Sequence, residues 1–388
     1  MRVCLIAVEI FAWGKYGGFG RATRTIGREL VKRGIDVSAV VPRRGGQRPV
    51  EILDGITVRG FSPRSPWQAT RLLRECDADV YHSCEPSFAS YLAMRAMPHR
   101  VHVATVRDPR ELRDWMMEFD RPSRSKLQVT RNYLYESNPL VRRAVRRMDA
   151  VFAPARSLVS KARALYGLTT DPVFLPTPVA IPPSVTKTDR PTVCYLARLD
   201  RRKRPTLFLD LARDFPDVTF IAMGGSRDAR WEQSLHDRYA DVPNLEMTGF
   251  VDQFNTGLHA SILERSWIMV NTASREGLPN AFLEAAAHRC AILSHVDPDG
   301  FASEFGYHAR TDDFQWGLRY LLESGQWRER GQRGYEHVRS TFEVEHAMDQ
   351  HVAWYETLLS DRRPRRPRAG REERGERRKQ KGGTARGG

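Results

Sequence analysis

The sequence predicts an α/β protein of two domains, each a parallel sheet wrapped by helices. Three observations carry this. Short β-branched runs alternate with helical patterns along most of the chain, the alternation falls into two series parted by a proline-rich stretch, and a glycine-rich or basic loop follows the first strand of each series. At 388 residues the chain also exceeds what one hydrophobic core serves.

The first series has strands at Val3–Val8, Val37–Val41, Val80–Ser83, Val101–Val106 and Val151–Ala153. The second has them at Val193–Ala197, Val218–Met223, Trp267–Asn271 and Ala291–Ser294. Strands separated by helices require right-handed crossovers and therefore parallel pairing. The first helix is plain, because Ala22, Ile26 and Leu30 recur every four residues before the stop at Gly34. Between the series, Pro176, Pro178, Pro182 and Pro183 mark the hinge. The predicted organisation is an N-terminal domain over 1–178, a linker over 179–191 and a C-terminal domain over 192–341. A helix over 342–360 then packs back on the N-terminal domain, and a tail over 361–388 follows.

Net charge is +15, yet residues 361–388 hold 12 Lys/Arg against 4 Asp/Glu, so over half the excess sits in the tail. That segment lacks aliphatic and aromatic residues and cannot offset ordering entropy, which predicts disorder. Charge of this kind gives only salt-sensitive affinity for nucleic acid, and no aromatic residues are interleaved to stack bases, so no specific nucleic-acid partner is expected. No apolar run approaches the roughly 20 residues that span a bilayer. The five cysteines are scattered, which argues against a disulfide framework or a CxxC metal site and for a reducing, cytoplasmic setting.

Chemistry concentrates in three places. Gly17 and Gly18 follow the first strand, where glycines permit positive φ and close approach of backbone to a phosphate. Arg198 stands just past the first strand of the second series and Lys203 just before a helix opening at Pro205; a guanidinium fork and an ammonium there suit a diphosphate. In the segment Glu276-Gly277-Leu278-Pro279-Asn280, continuing to Glu284, Pro279 is suited to the first turn of a helix. The helix start offers unpaired N–H groups to phosphate, and the two carboxylates can accept from sugar hydroxyls.

Together these residues resemble the retaining, nucleotide-sugar-dependent glycosyltransferases of family 4, over about residues 1–360. The resemblance implies the GT-B fold, two Rossmann-like domains facing across a cleft, and a nucleotide diphosphate sugar as donor. It implies that Glu276 lies near the transferred sugar, Glu284 at the ribose, Arg198 and Lys203 at the diphosphate, and Gly17 and Gly18 beside the donor phosphates and acceptor. Backbone groups of Gly277, Leu278, Pro279 and Asn280 would close around sugar and phosphate. It further implies catalysis without metal or other cofactor. One departure stands out: many relatives have a His near the reacting sugar where this chain has Arg107. Arg107 or Asp108 then contacts donor or acceptor, or Asp108 neutralises Arg107 and braces the loop. His82, at the end of its strand, is a further candidate for the cleft. The same architecture also serves sugar-nucleotide epimerases and phosphorylases, which is the alternative reading.

The acceptor, a glycan, a lipid-linked sugar or a small molecule, is expected on the N-terminal domain, where 121–147 carries 8 Lys/Arg. There Asn138 caps a helix with Leu140, Val141, Ala144, Val145 and Met148 on one face and Arg142, Arg143, Arg146 and Arg147 on another. Such a helix either rests peripherally on an anionic membrane or packs its apolar stripe inward.

Overall fold

The computed structural model describes residues 1–362 apart from 15, 16, 124 and 324; the tail predicted to be disordered, save its first two residues, lies outside them. The first sheet has eight strands, β1 (Arg2–Ile6), β2 (Asp36–Pro42), β3 (Val50–Leu53), β4 (Ile56–Phe61), β5 (Val80–Ser83), β6 (Val101–Thr105), β7 (Ala150–Ala153) and β8 (Val173–Phe174). Their spatial order is β3-β4-β2-β1-β5-β6-β7-β8. All pairs are parallel except β3 with β4, a hairpin whose turn is Asp54-Gly55, both at positive φ. The second sheet has β9 (Thr192–Leu196), β10 (Thr219–Met223), β11 (Leu245–Gly249), β12 (Ile268–Asn271), β13 (Ala291–Ser294) and β14 (Gly306–His308), in the order β11-β10-β9-β12-β13-β14.

In each sheet the first strand lies between partners reached in opposite directions: β1 between β2 and β5, β9 between β10 and β12. Such a reversal opens a crevice beyond the carboxyl ends of the strands, where ligands of open α/β sheets bind. The loops that follow β1 and β9 open there, and they carry Gly17-Gly18 and Arg198…Lys203.

The terminal helix Val344–Arg362 buries Met348 and Tyr355 among Val3, Leu5, Val80 and Phe152 of the first sheet's core. On the other face of that sheet, Val141 and Val145 of the helix Pro139–Val145 pack with Phe88, Ala89 and Leu92, and Ala144 is buried beside them. Asn138 caps this helix through its Oδ1, which accepts from the Leu140 N–H at 2.9 Å, while Leu140 itself is exposed. Three of the five apolar residues of the stripe, Val141, Ala144 and Val145, are thus buried in the protein, as the inward-packing alternative has it.

Candidate active site

The two domains enclose a cleft of about 1750 Å³. Gly17, Gly18, Arg107, Asp108, Arg198, Lys203, Glu276, Gly277, Leu278, Pro279 and Asn280 all line it. Residues up to 263 positions apart in the chain are brought to one crevice because each follows a strand or opens a helix at a sheet's carboxyl edge.

Two helix starts face this space. The helix Gly18–Lys32 follows Gly17 and the helix Asn280–Ala287 follows Pro279, and neither cap residue has a side-chain oxygen to accept from the first turn. Pro279, expected inside the helix, is the cap itself, with ψ 128°. The Asn280 amide donates to the Gly18 carbonyl at 2.8 Å, tying the two starts together. The positive ends of two helix dipoles therefore converge on one part of the cleft, and the Gly20 N–H of the first start is taken by the Glu9 carboxylate at 3.2 Å.

The glycines are needed for space more than for conformation. Gly17 has φ −99°, so the expected positive φ is absent, but a Cβ there would lie 2.0 Å from the Glu9 carboxylate. At Gly277 a Cβ would lie 2.2 Å from the Arg107 carbonyl oxygen, backbone of the opposite domain. Leu278 continues this contact by packing on Leu158 and Ala155.

The Lys203 ammonium contacts the Glu276 carboxylate directly. Burial, with the guanidinium groups of Arg202 and Arg198, pulls the Lys203 pKa well below its ordinary value. The Asp108 and Asp200 carboxylates oppose that pull. Arg198 pairs with buried Asp200 at 2.7 Å. Asp108 is gripped by Arg275 at 2.5 Å and approached by Arg110 at 3.7 Å. Burial pushes its carboxyl up, but Arg275 and Arg110 outweigh burial and hold it below its ordinary value. It does not neutralise Arg107, whose guanidinium donates to the Cys84 carbonyl at 3.2 Å and the Thr177 hydroxyl at 2.7 Å. Behind the loop, the buried Glu85 carboxylate accepts from the Arg107 N–H at 2.8 Å, and burial raises its pKa to about 8.

Two expected residues stand outside. His82 is 0 % exposed and hydrogen-bonded to Tyr355 Oη at 2.6 Å and Thr105 Oγ1 at 2.7 Å. Both faces of its central strand are covered, and His82 shares with Val80 the face that meets the terminal helix, so burial holds it neutral, well below its ordinary pKa. Glu284 is not part of the lining; one turn into its helix, it is paired with Arg21 at 2.8 Å and His259 at 3.3 Å. The ribose contact implied for it requires Arg21 of the opposite domain, which itself lines the cleft, to release the carboxylate.

Sequence reasoning missed Glu9, Arg44 and Arg227, which also line the cleft. Arg44 and Arg227 have no ion-pair partner within 4.0 Å among the described residues, and the Arg44 Nε is buried without a hydrogen bond. A signal for Arg227 was present: it ends a Gly224-Gly225 turn after β10, and Gly224, at φ +149°, leaves 1.9 Å between a Cβ and the Ala197 carbonyl oxygen. Only glycine fits there.

Residues 16–180 match Glycosyltransferase Family 4, and residues 179–329 match Glycosyl transferases group 1. No curated protein matches the sequence. Among solved structures, the chain is similar to a sucrose-phosphate synthase from Thermosynechococcus elongatus, with a TM-score of 0.70 at 14% identity, over 93% of this chain and 99% of that one. It is likewise similar to the HepE protein of Anabaena in complex with UDP-glucose, with a TM-score of 0.68 at 14% identity, over 92% of this chain and 99% of that one.

Proposed function

We propose, for a chain that belongs to glycosyltransferase family 4 and has its GT-B fold, that it moves a hexose from a nucleotide diphosphate donor to an acceptor with retention at the anomeric carbon. The observation that carries the reading is the convergence of Lys203, Arg198, Glu276 and two helix starts on one cleft. Lys203 and Arg198 hold the diphosphate, with Arg227 beside them. Phosphate takes the place of Glu276 on Lys203, and the released carboxylate accepts from a hydroxyl of the sugar.

As the bond between the anomeric carbon and the phosphate oxygen breaks, negative charge grows on the phosphate, and the cations and helix ends stabilise it. The acceptor oxygen bonds to the same face of that carbon, and its proton passes to the departing phosphate. Front-face attack is favoured because the lining carboxylates Glu276, Asp108, Glu118 and Glu136 are each held by a cation, Glu9 accepts from the Gly20 N–H, and none is disposed as a covalent nucleophile. With three cationic side chains at the diphosphate, we expect turnover without a divalent ion. Cys4, Cys84, Cys194 and Cys290 are buried and unbridged, which supports a reducing, cytoplasmic setting.

Thermal unfolding with UDP, GDP, ADP and dTDP sugars tests the donor assignment. One nucleotide at a hundred times its Kd stabilises by about 2.7 kcal/mol and raises Tm by several degrees. If no nucleotide diphosphate sugar in the panel moves Tm, the proposal is lost.

A further inference from the structure

Seven of the fifteen large apolar side chains exposed among the described residues fall within residues 112–140. They belong mainly to two helices of the N-terminal domain, Leu112–Asp120 and Lys126–Glu136. Leu112, Met116 and Phe119 recur at i, i+4 and i+7 on the first, and Leu127 and Leu134 at i and i+7 on the second, so each helix shows one apolar face to solvent. Leu127 is 68 % exposed, Leu112 65 % and Leu134 61 %. The hairpin is not loose. Trp115 is buried between Tyr133, at 5.7 Å, and the Arg110 guanidinium, at 4.0 Å, and Lys126 Nζ sits 4.8 Å over the Phe119 ring.

Charges on this hairpin are sorted by direction. Asp114 is held by Lys161 and Arg275, Glu118 by Arg110 and Arg202, and Glu136 by Arg110, all turned into the protein. Glu111, which caps the first helix, and Asp120 at its end are the exposed acids of the pair of helices. Arg113, Arg121, Lys126 and Arg131 are exposed and have no ion pair within 4.0 Å among the described residues. Outward cations interleaved with outward leucines and methionines, above inward acids, suit an anionic, partly apolar plane. The neighbouring helix Pro139–Val145 adds exposed arginines and the exposed Leu140 to the same region but buries Val141, Ala144 and Val145.

We infer that the helices Leu112–Asp120 and Lys126–Glu136 form a docking surface for anionic phospholipid bilayers, their apolar residues entering the acyl boundary and their arginines meeting the phosphates. The surface is continuous with the cleft, because Leu127, Arg131 and Leu134 line both. Docking therefore sets the mouth of the cleft at headgroup level. The inference is independent of the donor chemistry.

The test is sedimentation of the full chain with vesicles of phosphatidylcholine alone or mixed equally with phosphatidylglycerol, at low and high salt. Wild type is expected to sediment with the anionic vesicles at low salt and to be released by high salt. Met116→Ser/Leu127→Ser/Leu134→Ser keeps every charge, including those of residues 363–388, and should lower partitioning at least about tenfold with Tm unchanged. Arg113→Gln should lower it about fivefold. Leu127→Ser alone serves the same comparison if the triple variant unfolds. Unchanged partitioning of the serine variant, or equal sedimentation with neutral and anionic vesicles, would overturn the inference.

Discussion

The two walls of the cleft are built on different plans. On the C-terminal wall every predicted cation has a nearby carboxylate, Lys203 with Glu276 and Arg198 with Asp200, and the residues come from two short loops beside one helix start. On the N-terminal wall, Arg44, Arg64, Arg121 and Arg131 lack ion pairs within 4.0 Å among the described residues and come from separate loops and helices. Paired charges at close range are preorganised and recognise one group in one geometry. Unpaired arginines spread over a wide surface attract anions without dictating a pose. The difference teaches that the donor side is organised before ligand arrives, whereas the acceptor side offers potential and area.

Removing a cation from the organised wall is the hardest blow to this contrast. Lys203→Ala should lower turnover by 10²–10³, about 3–4 kcal/mol, in a protein that still unfolds cooperatively near the wild-type Tm. Single-turnover consumption of the donor identified by thermal shift reads this directly, and a change of less than about threefold would dissolve the contrast between the walls.

Glycines at the seam should separate rigid contact from yielding contact. Gly277→Ala drives a Cβ against the Arg107 carbonyl, which cannot move without parting the domains, and should cost about 1–3 kcal/mol in unfolding free energy. Gly17→Ala meets only the tip of the Glu9 side chain, which can turn aside, and should cost less. Equal loss in the two variants would show that the seam is not the stiff element.

The smallest effect concerns the carboxyl behind the N-terminal wall. Glu85 keeps its proton in the folded protein up to about pH 8, whereas the unfolded chain releases it near the ordinary carboxylate value of about 4.5. Native protein thus binds the extra proton between those values, and wild-type stability falls as pH rises through that window. Glu85→Gln carries no such proton. Its stability relative to wild type should grow by about 1–3 kcal/mol from pH ~5 to pH ~8 in chemical denaturation, and a flat difference would place the carboxyl in a polar setting.

Much of the fold was legible because strand and crossover signals are local. The hairpin of β3 and β4 was legible and missed: Val50 and Ile52 on one side and Ile56, Thr57 and Val58 on the other flank Asp54-Gly55, among the strongest short-range turn signals. His82 misled for another reason. A strand's end in the sequence does not reveal which face a residue takes or what covers that face, and here the terminal helix, more than 260 positions away, delivers Tyr355 to it. Glu284 likewise met a partner, Arg21, that no spacing could announce. The amphipathic pattern at 138–148 was real but answered to the core, while the faces left to solvent lie on the two helices before it.

By itself the sequence determined the two parallel-sheet domains and the loops that carry glycine, cation and carboxylate, since periodicity and strand-to-loop position act over a few residues. Tertiary structure alone decided which charges neutralise one another, which histidine and glutamate are withdrawn from the cleft, and which apolar face meets solvent. Burial and ion pairing depend on what arrives from the rest of the chain, and that arrival is a property of packing.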